Sequence, residues 1–382
     1  MTMEFQPYPF EKLNSLICGI QTSGERISLT IGEPQFNTPK NICEILRQKV
    51  EFLNKYPKTA GEGFLKDSML NFLARRFNVA LNPNELIPTF GTREVLFNFP
   101  QFYLFDKKNP ILAHPNPFYQ IYEGAAIASR AKSIYMNLTP QNGFKPSLTK
   151  EQMQDCDLVI LNSPNNPTGA TLSLEELKQW VEYALEYDFL LLNDECYSEI
   201  YSISKPTSIL QACLEIGNER FKNVLALNSI SKRSSAPGLR SGFIAGDSNI
   251  LKPYLQYRTY VGCASPLPLQ YAAAFAWSED SHTESSRAQY AKNLQLAKEI
   301  LGAKIPNLRV PNETFYVWLP VQNDLEWTKN LLMKENILVL PGSFLSRKNN
   351  KGENPGENFV RLALVYEESI LKDALLRLQK WL

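Results

Sequence analysis

The chain has 382 residues, 44% of them hydrophobic and 21% charged, with a formal net charge of +1. That balance is globular rather than disordered, exceeds what one hydrophobic core usually organises, and offers no overall attraction to nucleic acid or an anionic membrane. Six scattered cysteines without a C-x-x-C pair, and two histidines, His114 and His282, argue against a zinc site, a disulfide framework and a serine–histidine hydrolase. A borrowed organic cofactor is the natural alternative.

The opening MTMEFQPYPFEKL lacks the basic-then-apolar order of a secretory leader. The longest apolar runs, DLVILN and DFLLLND, are too short to span a bilayer. A cytoplasmic protein with neither membrane nor nucleic-acid partner is expected. From residue 86 onward, short apolar runs alternate with amphipathic stretches. Strands are predicted at Leu86–Phe90, Ile111–His114, Ser133–Asn137, Asp157–Asn162, Phe189–Asn193, Asn223–Asn228 and Gly242–Gly246. Several are apolar throughout, as strands covered on both faces should be. The clearest helix is SLEELKQWVEYALEY, where Leu174, Leu177, Trp180, Val181 and Ala184 share a face and Ser173 is placed to cap toward Glu176. The alternation predicts an α/β layered domain with a largely parallel sheet. After about residue 285 a long helix, the alternating run ETFYVWLPV, a helix, the strands ILVLPGSF and NFVRLALVY and a closing helix predict a smaller α+β domain. The expected division is 1–35 joining the small domain, 36–280 as the large domain and 281–382 as the small one. The polar segment SRKNNKGENPGEN reads as a mobile surface loop.

Ligands of such sheets collect at the carboxyl ends of the strands, and four of these ends carry polar residues. LIPTF is followed by Gly91, after which Thr92 and Arg93 open a helix whose free N–H groups suit a phosphate. A glycine before a helix is commonplace and proves little alone. Pro100 should kink or end that helix. DLVILN runs into Ser163-Pro164-Asn165-Asn166-Pro167-Thr168-Gly169, where two prolines fix the direction of the Asn166 amide more firmly than a turn requires. DFLLLN leads into Asp194, Glu195 and Tyr197, and a carboxylate that follows a buried strand needs a cationic partner. VLALN leads into Ser229, Ser231, Lys232 and Arg240. A lysine on a loop is ordinarily a solvated charge; after a buried strand it is better placed to form an imine, provided its ammonium, of reference pKa about 10.4, is deprotonated.

The ordered set Asn-Pro-x-Gly, Asp-x-x-Tyr and Ser-x-Ser-Lys with an arginine eight residues on resembles the fold-type I pyridoxal-phosphate enzymes, aminotransferase classes I and II. ISLTIGEP, KYPKTAGEGFLKDSMLNFL, LPGSF and FVRLALV extend the resemblance over the whole chain. It implies a large domain with a mostly parallel seven-stranded sheet between helices, plus a smaller α+β domain. It also implies residue roles. Lys232 would hold pyridoxal 5′-phosphate as a Schiff base and later move a proton at the substrate Cα. Asp194 would pair with the ring nitrogen, Asn166 and Tyr197 would bond the ring oxygen, and Tyr119 would stack on the ring. Thr92, Arg93, Ser229 and Arg240 would hold the phosphate, with Tyr56 reaching the phosphate of a neighbouring subunit in a homodimer with shared sites. Arg361 would bind the substrate α-carboxylate, and Gly32 would bring backbone close to it.

More narrowly, YPFEKL, YRTYVGCASPLPLQYAA and TFYVWLPV…LPGSF…NPGENFVRLALV resemble bacterial succinyldiaminopimelate aminotransferases, with Val261 where that pattern has histidine. That resemblance implies glutamate as amino donor and N-succinyl-2-amino-6-oxopimelate as acceptor, in lysine and diaminopimelate biosynthesis, by ping-pong chemistry. Arg258 is then the candidate to bind a distal carboxylate, reaching in from the partner subunit. The same residues also serve an aspartate- or aromatic-type aminotransferase or a cystathionine-type C–S lyase. A ligand-sensing regulator on this fold would need a DNA-binding module ahead of a pattern that begins within the first residues, and none is expected.

Overall fold

The computed structural model describes residues 4–22, 24–349 and 351–382. A two-residue strand, β1 (Ile27–Ser28), comes first. Seven longer strands follow: β2 (Leu86–Thr89), β3 (Ile111–Asn116), β4 (Lys132–Asn137), β5 (Leu158–Asn162), β6 (Leu190–Asp194), β7 (Val224–Ser229) and β8 (Gly242–Gly246). These seven form one sheet in the order β2-β8-β7-β6-β5-β3-β4. Only β8 runs against its neighbours; the other pairings are parallel. The sheet matches the sequence expectation strand for strand, with ends moved by a residue or two.

The all-apolar strands follow from cover on both faces. Successive side chains of a strand point to opposite sides. Leu158, Ile160, Leu190, Leu192, Leu225 and Leu227 enter one core with Val95, Phe99 and Tyr122. The alternate positions Val159, Leu161, Leu191, Val224 and Ala226 enter another with Phe72, Val181 and Trp277. Neither side can take polar groups, so polarity is pushed to the strand ends. The helix Leu174–Tyr187 packs as its periodicity predicts: Leu177, Trp180, Val181 and Ala184 are buried, and Ser173 accepts the Glu176 N–H.

Four further strands, β9 (Tyr316–Pro320), β10 (Ile337–Leu338), β11 (Leu340–Pro341) and β12 (Phe359–Ala363), build the second region. ILVLPGSF is not one strand, as its apolar run suggests, but two pieces serving different sheets. β10 pairs in parallel with β1 from the amino-terminal segment, while β11 joins the antiparallel sheet β11-β12-β9. These elements enclose a separate core that includes Leu29, Leu301, Val317, Leu331, Leu362 and Leu375.

Three expectations change on inspection. The helix Thr92–Tyr103 continues past Pro100; the proline lies near the carboxyl end, where one lost hydrogen bond is outweighed by burial of Phe99 and Pro100. The segment expected as a mobile surface loop is anchored at its start, before Asn350, which lies outside the described residues. Arg347 grips the Glu123 carboxylate through Nε at 2.7 Å and bonds Asn116 through its backbone N–H at 2.9 Å. Gly356 N–H donates to Asn354 Oδ1 at 3.0 Å.

The third change concerns Arg258. It is 0% exposed, and all five donors of its guanidinium are engaged within its own chain. Glu94 takes two, at 2.9 and 3.0 Å. The carbonyls of Pro88, Thr59 and Cys263 take the rest, at 3.1, 3.3 and 2.8 Å. A side chain sealed in this way neither reaches a partner's site nor has a donor left for a substrate. Its work is structural, tying the helix Ser248–Val261 to the start of the helix Thr92–Tyr103. Arg258→Ala is expected to cost about 3–5 kcal/mol of stability by stranding the Glu94 charge, measured by urea unfolding. A wild-type urea midpoint with a raised KM would return the residue to a substrate role.

Candidate active site

The carboxyl ends of β2, β5, β6 and β7 open into a cavity of about 960 Å³. Apart from Tyr56 and Arg258, the residues given a role by the resemblance line it. Tyr56 is fully exposed on this chain, and neither histidine is among the lining residues. His114 is buried with Nδ1 on the Pro115 carbonyl, and burial pushes its pKa down to about 4. His282 lies between Glu279 and Ser234, at 2.8 Å from each.

Lys232 stands on the one-turn helix Ile230–Arg233 that follows β7. Its Nζ donates to the Gly32 carbonyl, brought in from the amino-terminal segment. Burial lowers the pKa of the amine, which favours the neutral, nucleophilic form. Gly32 is required there: a Cβ would stand 1.9 Å from the Tyr316 hydroxyl.

Asp194 ends β6 with 4% exposure. Its carboxylate accepts from the Tyr122 hydroxyl at 2.9 Å and from the Cys196 N–H at 3.3 Å. Among the described residues no cationic side chain pairs with it, and burial raises its pKa. The carboxylate therefore lacks the positive partner that a buried charge demands. A protonated ring nitrogen would meet that need.

Next to it, Asn166 is held by its own N–H donating to Asn162 Oδ1 at 2.8 Å. The Asn166 Oδ1 accepts from Arg361 Nη1 at 2.8 Å. Arg361, on β12, also donates to the Thr30 carbonyl and lies 4.5 Å from the Tyr316 ring centroid. Its Nε is buried without a hydrogen-bond partner, an uncompensated desolvation of about 1–3 kcal/mol. Tyr197 and Tyr316 share a contact of 3.3 Å between hydroxyls.

An anion cradle lies at the ends of β2 and β7. Gly91 has φ 76°, and a Cβ there would come within 2.3 Å of Arg240 Nη2, so the turn and the arginine beside it depend on glycine. The helix that starts at Thr92 presents its first N–H groups. Ser229 and Ser231 hydroxyls, 2.8 Å apart, stand on the other side. The Arg93 side chain turns to Tyr119, Nε donating to the tyrosine hydroxyl at 2.7 Å. Only its backbone belongs to the helix start.

Cradle, amine and unpaired carboxylate match the phosphate, aldehyde and ring nitrogen of pyridoxal phosphate, so the residues present fit that group. Sequence reasoning missed Tyr122, Asn162, Cys196 and Tyr316. Tyr122 lies one helical turn from Tyr119, but nothing local marks it as facing Asp194. Tyr316 sits in an ordinary alternating strand and gains its place only through β12 and Gly32.

Known proteins agree with this geometry. The family described as aminotransferase class I and II matches residues 25–374. An LL-diaminopimelate aminotransferase of Natranaerobius thermophilus is 30% identical over 385 residues, covering 97% of this chain and 95% of the relative. Another, from Syntrophobacter fumaroxidans, is 29% identical and covers 98% and 96%. The crystal structure of aminotransferase AspB from Helicobacter pylori 26695 shares 52% identity at a TM-score of 0.95, over 100% of this chain and 99% of that one. An aminotransferase structure from Neisseria meningitidis Z2491 shares 38% at 0.93, over 99% and 98%. The chain belongs to the aminotransferase class I and II family, whose members work with pyridoxal phosphate.

Proposed function

We propose that this aminotransferase takes its amino group from glutamate and passes it to a semialdehyde bearing more than one carboxylate, N-succinyl-2-amino-6-oxopimelate, in diaminopimelate synthesis. The supporting observation is a pair of guanidinium groups, Arg361 and Arg93, lining the same cavity as the Lys232 amine. Arg361 pairs with no carboxylate among the described residues, bonding only the Asn166 amide oxygen and the Thr30 carbonyl. Arg93 bonds only a neutral phenol and pairs with no carboxylate among the described residues. Ile31, Phe97, Val261 and Leu345, in the lining of the same cavity, offer apolar surface for a methylene chain.

Bound pyridoxal phosphate supplies an electron sink for charge developing at the substrate Cα. The protein's own groups do the rest. Arg361 holds the α-carboxylate by a planar fork. Asp194 would hold the ring nitrogen in its protonated form, and Asn166 and Tyr197 would bond the ring oxygen. The Lys232 Nζ would carry the proton to and from Cα. Thr92, Ser229 and Arg240 would hold the phosphate, and Tyr119 would cover the ring. Tyr56, with its side chain fully exposed, is free to complete the site of a second copy in a homodimer.

A second reading, direct use of LL-diaminopimelate, is favoured by the name that several whole-length relatives carry. A coupled assay separates the readings: oxoglutarate released from glutamate with the succinylated semialdehyde supports the first. Amino transfer from LL-diaminopimelate to oxoglutarate, without turnover of the succinylated compound, supports the second. Pyruvate and ammonia from cystathionine would mean a lyase. Arg93→Ala is expected to raise KM for the preferred acceptor about 10- to 100-fold, the worth of one charge-assisted bond; an unchanged KM removes the residue from recognition. Because burial lowers the Lys232 pKa, the rate at which cofactor-free protein captures pyridoxal phosphate should rise with pH through a midpoint below 10.5, the amine's ordinary value. A midpoint at or above that value would contradict the assignment, and Lys232→Ala should abolish capture.

A further inference from the structure

Lys232 belongs to a helix of four residues, too short to hold its own geometry. Both ends are fastened from outside. At the start, Ser229 Oγ accepts the Ser231 N–H at 3.1 Å. At the end stands Arg233, which is absent from the cavity lining and 1% exposed. Its guanidinium bonds the Ala276 carbonyl and the Asp280 carboxylate and reaches the Glu279 carbonyl at 3.2 Å. It also lies over the rings of Phe72 and Trp277. Its Nε, buried without a hydrogen bond, is 3.8 Å from the Glu199 carboxylate.

Glu199 is the other half of the arrangement. It ends the turn that begins at Asp194 and carries Tyr197, a turn closed by Ser198 N–H to the Glu195 carbonyl at 2.9 Å. At 3% exposure it takes Arg76 from the helix Gly63–Phe77 and Arg287 from the helix Ser281–Gly302, the latter at 3.3 Å. Three guanidinium groups around one buried carboxylate are a poor way to gain stability, since desolvation offsets most of the attraction. What they do achieve is a fixed point between the segment that carries Asp194 and Tyr197 and the segment that carries Lys232.

We propose that Glu199 and Arg233 are positioning residues for the transamination, setting where the Lys232 amine stands relative to Asp194 and Tyr197 without touching substrate or cofactor. The inference rests on the reading of Lys232 as the cofactor-binding lysine. Misplacing a reacting group by about 1 Å lowers rate about 100-fold while binding changes little, so the expected signature is in kcat rather than KM.

The experiment compares Arg233→Met, Arg233→Lys and Glu199→Gln with Arg75→Met, which removes the partly exposed partner of Asp280, a side chain that makes no hydrogen bond or ion pair with Glu199 or the lysine helix. Measured quantities are kcat and KM on glutamate, the rate of pyridoxal phosphate capture by the cofactor-free protein, and the melting temperature. Arg233→Met and Glu199→Gln are expected to lower kcat and capture rate about 10- to 100-fold with KM nearly unchanged. Arg233→Lys should recover part of the loss, and Arg75→Met should keep the wild-type kcat. Should Arg233→Met fail to fold, Glu199→Gln decides, since it keeps shape and removes charge. A folded Glu199→Gln protein with wild-type kcat and capture rate, altered only in melting temperature, overturns the proposal. Borohydride trapping and peptide mapping of the wild type address the underlying reading separately: label on a lysine other than Lys232 would defeat that reading and this proposal with it.

Discussion

Asp194 ends a strand that is buried on both faces, and its carboxylate meets only neutral donors, the Tyr122 hydroxyl and the Cys196 amide. A carboxylate so placed is tolerable only if it is protonated or if a cation arrives to share the site. The surrounding geometry is consistent with the second outcome. An amine made less basic by burial, an anion cradle with Arg240 beside it, and the Asn166–Arg361 pair all border the same cavity. The site is built around a positive charge that the chain does not itself supply.

The sheet explains why these groups meet. Apolar residues on both faces of β5, β6 and β7 leave no place for a polar side chain except at the strand ends, and parallel strands put their carboxyl ends on one edge. Register then sets Asn162 beside Asp194 and Ser229 beside Gly242. The remaining wall comes from far away in sequence. Gly32 arrives with the amino-terminal segment, whose strand β1 pairs with β10, and Arg361 arrives on β12. Their bonds to Lys232 and Asn166 join the two regions across the cavity.

Four arginines show how one chemistry takes different duties according to burial. Arg258 has every donor taken by its own chain and holds two helices together. Arg233, equally buried, has one donor unmatched and stands against Glu199. Arg361 lines the cavity and carries a buried Nε without a hydrogen bond. Arg93 leans on a tyrosine at the exposed margin. No property of the isolated residue separates them.

The sequence by itself determined the strands, because an apolar run bounded by turn formers is a local signal. It also determined the polar motifs that end them, since Asn166, Asp194, Lys232 and Arg240 lie within a few residues of those runs. Family membership followed from the order of these motifs. Tertiary structure alone decided which arginines face solvent, the cavity or a buried acid: Arg258 and Arg233 differ in what lies beyond their own helices, not in their neighbours along the chain. It alone decided that ILVLPGSF serves two sheets and that Tyr122 and Tyr316 enter the site. The reason is physical: hydrogen-bond satisfaction and desolvation depend on atoms brought together from distant positions, whereas strand formation and turns depend mostly on adjacent ones.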